Sequence, residues 1–224
     1  MKGVFVTGTD TNVGKTTVSA ALMQRYRMSH ELCYWKPVQT GAPPDNDTET
    51  VRGLGGCTDG EMFDNGIRLP VPVSPHLAAR LAGTEISIEQ VMKYLPANTA
   101  GKSWIVEGAG GVLVPLNRKQ MMIDLIDALT LPVVIVGRAG LGTINHTLLT
   151  VSALRARSIT VAGVVLTGEG IDDNADSIAE FGNVKILGRM PHLAAVTEGQ
   201  IRHWAQRELD RDGVLAKAME GRWD

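Results

Sequence analysis

Val4-Phe5-Val6-Thr7-Gly8-Thr9-Asp10-Thr11-Asn12-Val13-Gly14-Lys15-Thr16-Thr17 joins a β-branched run to a glycine-bounded turn and a Lys-Thr pair. Beyond it Val18, Ala21, Leu22 and Tyr26 recur at helical spacing, so the stretch reads as strand, loop, helix. The backbone N–H groups of such a loop, with the positive end of the helix dipole behind them, form a cradle for polyphosphate. Lys15 is expected at the β- and γ-phosphates and Thr16 on Mg²⁺, with Thr11, Asn12, Val13, Gly14 and Thr17 along the phosphate chain. The usual loop has about four residues between its glycines. Here residues 9–13 separate Gly8 from Gly14, so the loop is a variant.

Working outward, short apolar runs at 32–35, 104–107, 133–137, 161–166 and 184–187 follow the one at 4–7. Most are apolar throughout, as strands buried on both faces are. Between them lie amphipathic segments at 75–81, 121–129, 143–155 and 197–209. Alternation of this kind predicts parallel strands with helical crossovers. The expected fold is α/β, a P-loop NTPase-type open, mainly parallel sheet with helices on both faces, in a single domain spanning 1–224. Residues 37–75, rich in Gly, Pro, Asp and Asn, are the least regular part and the expected substrate and metal loop.

Composition narrows the partners. Net charge is −2 with dispersed basic residues, which leaves no footprint for a nucleic-acid backbone. No run is long enough to span a bilayer and the start turns glycine-rich too early for a signal peptide, so the expected location is cytoplasmic. Two cysteines and five histidines show no metal spacing.

A second carboxylate stands in Trp104-Ile105-Val106-Glu107-Gly108-Ala109-Gly110-Gly111. Glu107 ends a buried strand where a Walker-B acid would hold Mg²⁺, and Gly108 and Gly110 permit close approach to a phosphate or substrate atom. One further acid suffices for a cation that keeps several waters. Asp47 is the choice, with Asp45 and Glu49 of the same acidic loop as competitors.

Taken together, these blocks resemble the dethiobiotin synthetase family. The resemblance is carried by residues 8–17, by Lys36-Pro37-Val38-Gln39-Thr40-Gly41, by Ser74-Pro75-His76, by residues 106–111, by Leu141-Gly142-Thr143-Ile144-Asn145-His146 and by a P-x-L element at Pro191 and Leu193, all in the family's order. It implies conversion of 7,8-diaminopelargonic acid, CO₂ and ATP into dethiobiotin, ADP and phosphate, through a carbamate and its anhydride with phosphate. Two anions meeting at 4 Å repel by about 4 kcal/mol at an effective dielectric of 20, so positive charge must be preplaced. Lys15, Lys36 and Mg²⁺ would supply it. Thr11 and Thr40 would hydrogen-bond the carbamate or diamine, with Thr11 among the catalytic set. The resemblance also implies a homodimer, in which Gly142, Thr143, Ile144 and Asn145 at a helix start receive the substrate carboxylate from the opposite subunit.

Many family members carry an Asn after the strand at 161–166 to read the adenine edge. This chain has Thr167-Gly168-Glu169-Gly170, and Asn174 lies farther on. Thr167, Gly168, Pro191 and Leu193 are therefore the expected surroundings of the base. Three rivals keep the loop and change the activity. A ParA- or MinD-like switch ATPase typically has an early loop lysine where Asp10 stands, and a cobyrinate-type amide synthetase needs a glutamine-hydrolysing domain for which there is no room. The third is a non-catalytic nucleotide-binding module.

Overall fold

The computed structural model describes residues 1–43, 46–170, 172–193 and 195–223. Among them the elements run β1 (Lys2–Gly8), α1 (Lys15–Tyr26), β2 (Leu32–Trp35), β3 (Val38–Thr40), α2 (Asp47–Gly55), β4 (Met62–Phe63), β5 (Ile67–Leu69), α3 (Pro75–Leu81), α4 (Ile88–Met92) and β6 (Ser103–Gly111). Then follow α5 (Met122–Leu129), β7 (Val133–Arg138), α6 (Thr143–Arg155), β8 (Val161–Thr167), α7 (Asp172–Gly182), β9 (Ile186–Met190), α8 (Glu198–Glu208) and α9 (Ala216–Met219).

The main sheet has the order β4-β2-β6-β1-β7-β8-β9, and its pairings are parallel. The period of two in each strand sends alternate side chains to opposite faces. Val4 and Val6 of β1 join a core with α1, α8 and α9 on one side, while Phe5 joins a second core with α3, α5, α6 and α7 on the other. Both faces are covered, which is why the strands read as nearly continuous apolar runs.

Trp35, Phe63 and Trp104 meet edge to face, with ring centroids 5.5 to 6.4 Å apart. Such pairs contribute roughly 0.5–1.5 kcal/mol beyond their burial. They pack β2, β4 and β6 together, and Lys36 directly follows β2 while Glu107 lies on β6.

The strand runs and the helices anticipated from periodicity are present, with the last strand displaced to Ile186–Met190. The stretch at 37–75 holds more order than its composition suggests. Beside turns it contains α2, β4 and a separate two-stranded parallel sheet of β3 and β5. Asn46 caps α2, its side chain accepting from the Glu49 N–H at 3.1 Å. That cap sets Asp47 as the first helical residue.

Candidate active site

The carboxyl ends of the parallel strands form the edge where open α/β sheets bind ligands. A cleft of 540 Å³ opens there, lined by the phosphate loop, the start of α2, and residues after β2 and along β6. Of the residues anticipated from sequence, Thr11, Asn12, Gly14, Lys15, Thr16, Thr17, Lys36, Thr40, Asp47, Glu107 and Gly110 line it.

The loop turns through two residues of positive φ, Asn12 at 56° and Gly14 at 92°. Gly14 is the N-cap of α1 and has no side chain to satisfy the first-turn N–H groups, which are left for an anion. Val13 points into the core instead, contributing only its backbone. Lys15 is buried and its Nζ donates to the Asp10 carbonyl at 3.0 Å. Burial, with Lys36 nearby, pushes the Lys15 ammonium down to about 8, against the opposing pull of Glu107 and Asp47.

Beside the loop the charged groups converge. β2 pairs with β6 so that Trp35 lies opposite Val106, which places Lys36 against Glu107. Lys36 Nζ is 2.8 Å from Glu107 Oε1 and 2.6 Å from Asp47 Oδ2, and it donates to the Gly108 carbonyl at 3.0 Å. Lys36 directly follows β2, and the proline after it disfavours helical backbone there. Burial alone would lower the Lys36 pKa, but Glu107 and Asp47 outweigh it and the ammonium is held above its usual value. Asp47 responds oppositely: burial would raise it, and Lys36 carries it below the usual carboxylate range.

Thr16 Oγ1 lies 3.0 Å from Glu107 Oε1 and 3.1 Å from Asp47 Oδ1. The hydroxyl has one proton to offer two acceptor-only carboxylates. A hydroxyl and two carboxylates drawn to one point are hard oxygen donors, and their spacing matches neighbouring ligands on an octahedron of radius about 2.1 Å. These residues fit a small divalent cation such as Mg²⁺. Glu49 is turned to solvent against Arg52, leaving Asp47 at the site, and Asp45 lies outside the described residues.

Two residues that sequence reading missed complete the surroundings. Tyr34 is fully buried and donates to Glu107 Oε2 at 3.0 Å; burial first, then Glu107, raises its phenol well above the usual value. The signal was a tyrosine two residues before Lys36, on the same face of the strand. Arg138, at the end of β7, donates to the Thr11 carbonyl at 3.0 Å and braces the exposed arm of the loop.

Other anticipated residues stand apart from the cleft. Gly108 lies beneath it, where a Cβ would meet the Phe5 ring at 2.9 Å. Thr167 donates its hydroxyl to the Val13 carbonyl at 2.7 Å, and the Gly168 N–H is used by the Met190 carbonyl at 2.8 Å. Pro191 is exposed and Leu193 half-buried at the end of β9. Asn174 donates to the Ala139 carbonyl at 2.9 Å. Gly142 caps α6 in left-handed conformation, Thr143 is buried, Ile144 is half-buried against the core, and Asn145 is exposed on the same helix start.

Fold and site together define a nucleotide-binding α/β protein of the P-loop NTPase class. A family model described as an AAA domain matches residues 2–200. The chain is 45% identical over 201 residues to an ATP-dependent dethiobiotin synthetase of Paramagnetospirillum magneticum, covering 90% of this chain and 93% of that one. It is 42% identical to a synthetase of the same name from Brucella ovis, covering 96% and 98%. Among solved structures, a ParA family ATPase of Chlorobium tepidum superposes with a TM-score of 0.56 at 12% identity, covering 91% of this chain and 97% of that one, a likeness of fold. The chain belongs to the ATP-dependent dethiobiotin synthetase family, whose members are ATP-dependent ligases that form dethiobiotin.

Among the described residues no helix is long and apolar enough to cross a membrane.

Proposed function

We propose that this chain, as a cytoplasmic homodimer, uses ATP and Mg²⁺ to close a cyclic urea on 7,8-diaminopelargonic acid with CO₂. The observation that carries this reading is the meeting of Lys15, Lys36, Thr16, Asp47 and Glu107 in one cleft beside a phosphate loop. One substrate amine adds to CO₂ and loses a proton, giving a carbamate. A carbamate oxygen bonds to the γ-phosphorus as the bond from phosphorus to the β,γ-bridging oxygen breaks, and ADP leaves. The second amine then attacks the carbamate carbon, expels phosphate and closes the ring.

Lys15 and the loop N–H groups neutralise the phosphates, and Lys36 stands where its ammonium can face the carbamate and the transferring phosphoryl group. Thr16, Asp47 and Glu107 would hold Mg²⁺, which supplies charge neutralisation between the phosphates. Thr11 and Thr40, at the cleft wall, orient the diamine so that ring closure is unimolecular.

The start of α6 serves the partner's site. Gly142–Asn145 do not line the cleft of their own chain, and Leu141 and Leu149 are exposed beside them, as an interface requires. The base lies by Thr167, Gly168, Pro191 and Leu193; with the Thr167 hydroxyl and the Gly168 N–H already engaged, shape and the other polar groups around it recognise it.

Incubation with diaminopelargonate, bicarbonate, Mg²⁺ and ATP is expected to give a product of dethiobiotin mass, with phosphate release dependent on the diamine. Lys15→Ala and Glu107→Ala are expected to abolish it. Diamine-independent hydrolysis without that product would overturn the reading in favour of a switch ATPase.

A further inference from the structure

The two carboxylate oxygens of Glu107 have different neighbours. Oε1 faces the cleft, 3.0 Å from Thr16 Oγ1 and 2.8 Å from Lys36 Nζ. Oε2 faces the protein and takes the Tyr34 phenol at 3.0 Å. Tyr34 has no exposed surface and lies on β2 between Met62 of the edge strand β4 and Ile105 of β6. Tyrosine and lysine two residues apart therefore leave the strand on one face and grip the same carboxylate from two sides. A carboxylate held on one oxygen by a buried neutral donor and on the other by an ammonium cannot rotate without breaking one of these bonds. Partners of this kind orient metal ligands.

We propose that Tyr34 is a positioning residue that reserves Oε2 and offers Glu107 to a cation through Oε1 alone, biasing the site toward a small octahedral ion. This rests on the reading that Thr16, Asp47 and Glu107 hold Mg²⁺. Mg²⁺ requires near-ideal octahedral geometry at about 2.0–2.1 Å, whereas Ca²⁺ takes roughly six to eight oxygens at about 2.3–2.6 Å and accepts carboxylates in two-oxygen fashion. Freeing Oε2 relaxes a constraint that suits the first ion and hinders the second.

The test is Tyr34→Phe, which removes the hydroxyl and keeps the ring. Mn²⁺ bound with nucleotide is followed by water-proton relaxation and displaced by Mg²⁺ or Ca²⁺ in wild type and variant. Mg²⁺ affinity is expected to fall about tenfold, within the range for loss of an outer-shell partner, with Ca²⁺ affinity falling much less. Metal-free nucleotide binding is expected to stay as in the wild type. An equal loss for both ions, or no loss, would overturn the inference. A wild type that binds no Mn²⁺ would instead overturn the underlying metal reading. In the wild type with ¹³C-carboxyl glutamate, difference infrared spectra on Mg²⁺ addition are expected to show a one-oxygen carboxylate, and a two-oxygen signature would overturn the inference even if the variant fails to fold.

Discussion

At the scale of single residues, the site works by holding positive charge in a place where burial opposes it. Lys36 keeps its ammonium because two carboxylates touch it, but Lys15 is left with a pKa near 8. The sign of the consequence is definite. As pH rises through about 8 the free protein loses the Lys15 charge, while triphosphate favours the protonated form, so binding takes up a proton and weakens. For a pKa of about 8, nucleotide Kd is expected to rise roughly fivefold between pH 8 and 9. Calorimetry in buffers of different ionisation heat would read both the proton uptake and the Kd. A Kd unchanged from pH 7.5 to 9.5 would contradict it, and Lys15→Met is expected to remove the inflection. Glu107 shows why a residue cannot be assigned to site or core alone. It has no exposed surface, and removing it takes from the buried Lys36 ammonium one of its two carboxylate partners, leaving the Asp47 pair alone to hold the charge.

At the scale of elements, the alignment of β1, β2 and β6 brings the loop, Lys36 and Glu107 to one edge, and small residues make that alignment possible. Gly3 of β1 lies opposite Trp104 of β6 with φ 121°, and a Cβ there would sit 1.9 Å from the Trp104 carbonyl oxygen. Backbone cannot yield as a flexible side chain does. Gly3→Ala is therefore expected to destabilise the fold by about 3 kcal/mol, at the upper end for a residue forced into a disfavoured backbone region. Urea denaturation would measure this, and a midpoint equal to wild type would show that the two strands can part without cost. The elements also explain what composition concealed. The stretch at 37–75 looked irregular because α2 is short and β3, β4 and β5 have two or three residues each, too few for a period to register. Residues 172–182 add a helix, α7, whose sequence signal is faint: of its core face, Ala175 and Ile178, one helical turn apart, are buried.

At the scale of the whole molecule, the proposed dimer makes each active site a property of two chains. A Lys15→Ala chain and an Asn145→Asp chain should each be impaired, the second by a carboxylate placed at the proposed anion site. In a hybrid, the loop of one chain and the α6 start of the other form one intact site. Co-expression with random pairing is expected to restore about a quarter of wild-type sites, by the statistics of a two-fold assembly. Recovery no greater than the average of the two parents would mean that each chain completes its own site.

The sequence by itself determined the phosphate loop and the buried parallel strands, because each is written in neighbouring residues: a glycine turn before a helix, a β-branched run. The expected strand end at Glu107 is corrected by the structure, in which β6 continues through Gly111 because Gly111 still pairs with Gly8 of β1, so Glu107 lies within the strand. Only the tertiary structure decided that Asp47 and not Glu49 faces Thr16, that Tyr34 holds the second oxygen of Glu107, and that Thr167 spends its hydroxyl on the loop. The contacts that settle these points join residues 31, 73, 91 and 154 positions apart. No local period encodes such pairs. They follow from the order in which the strands lie side by side, which packing on both faces of the sheet selects.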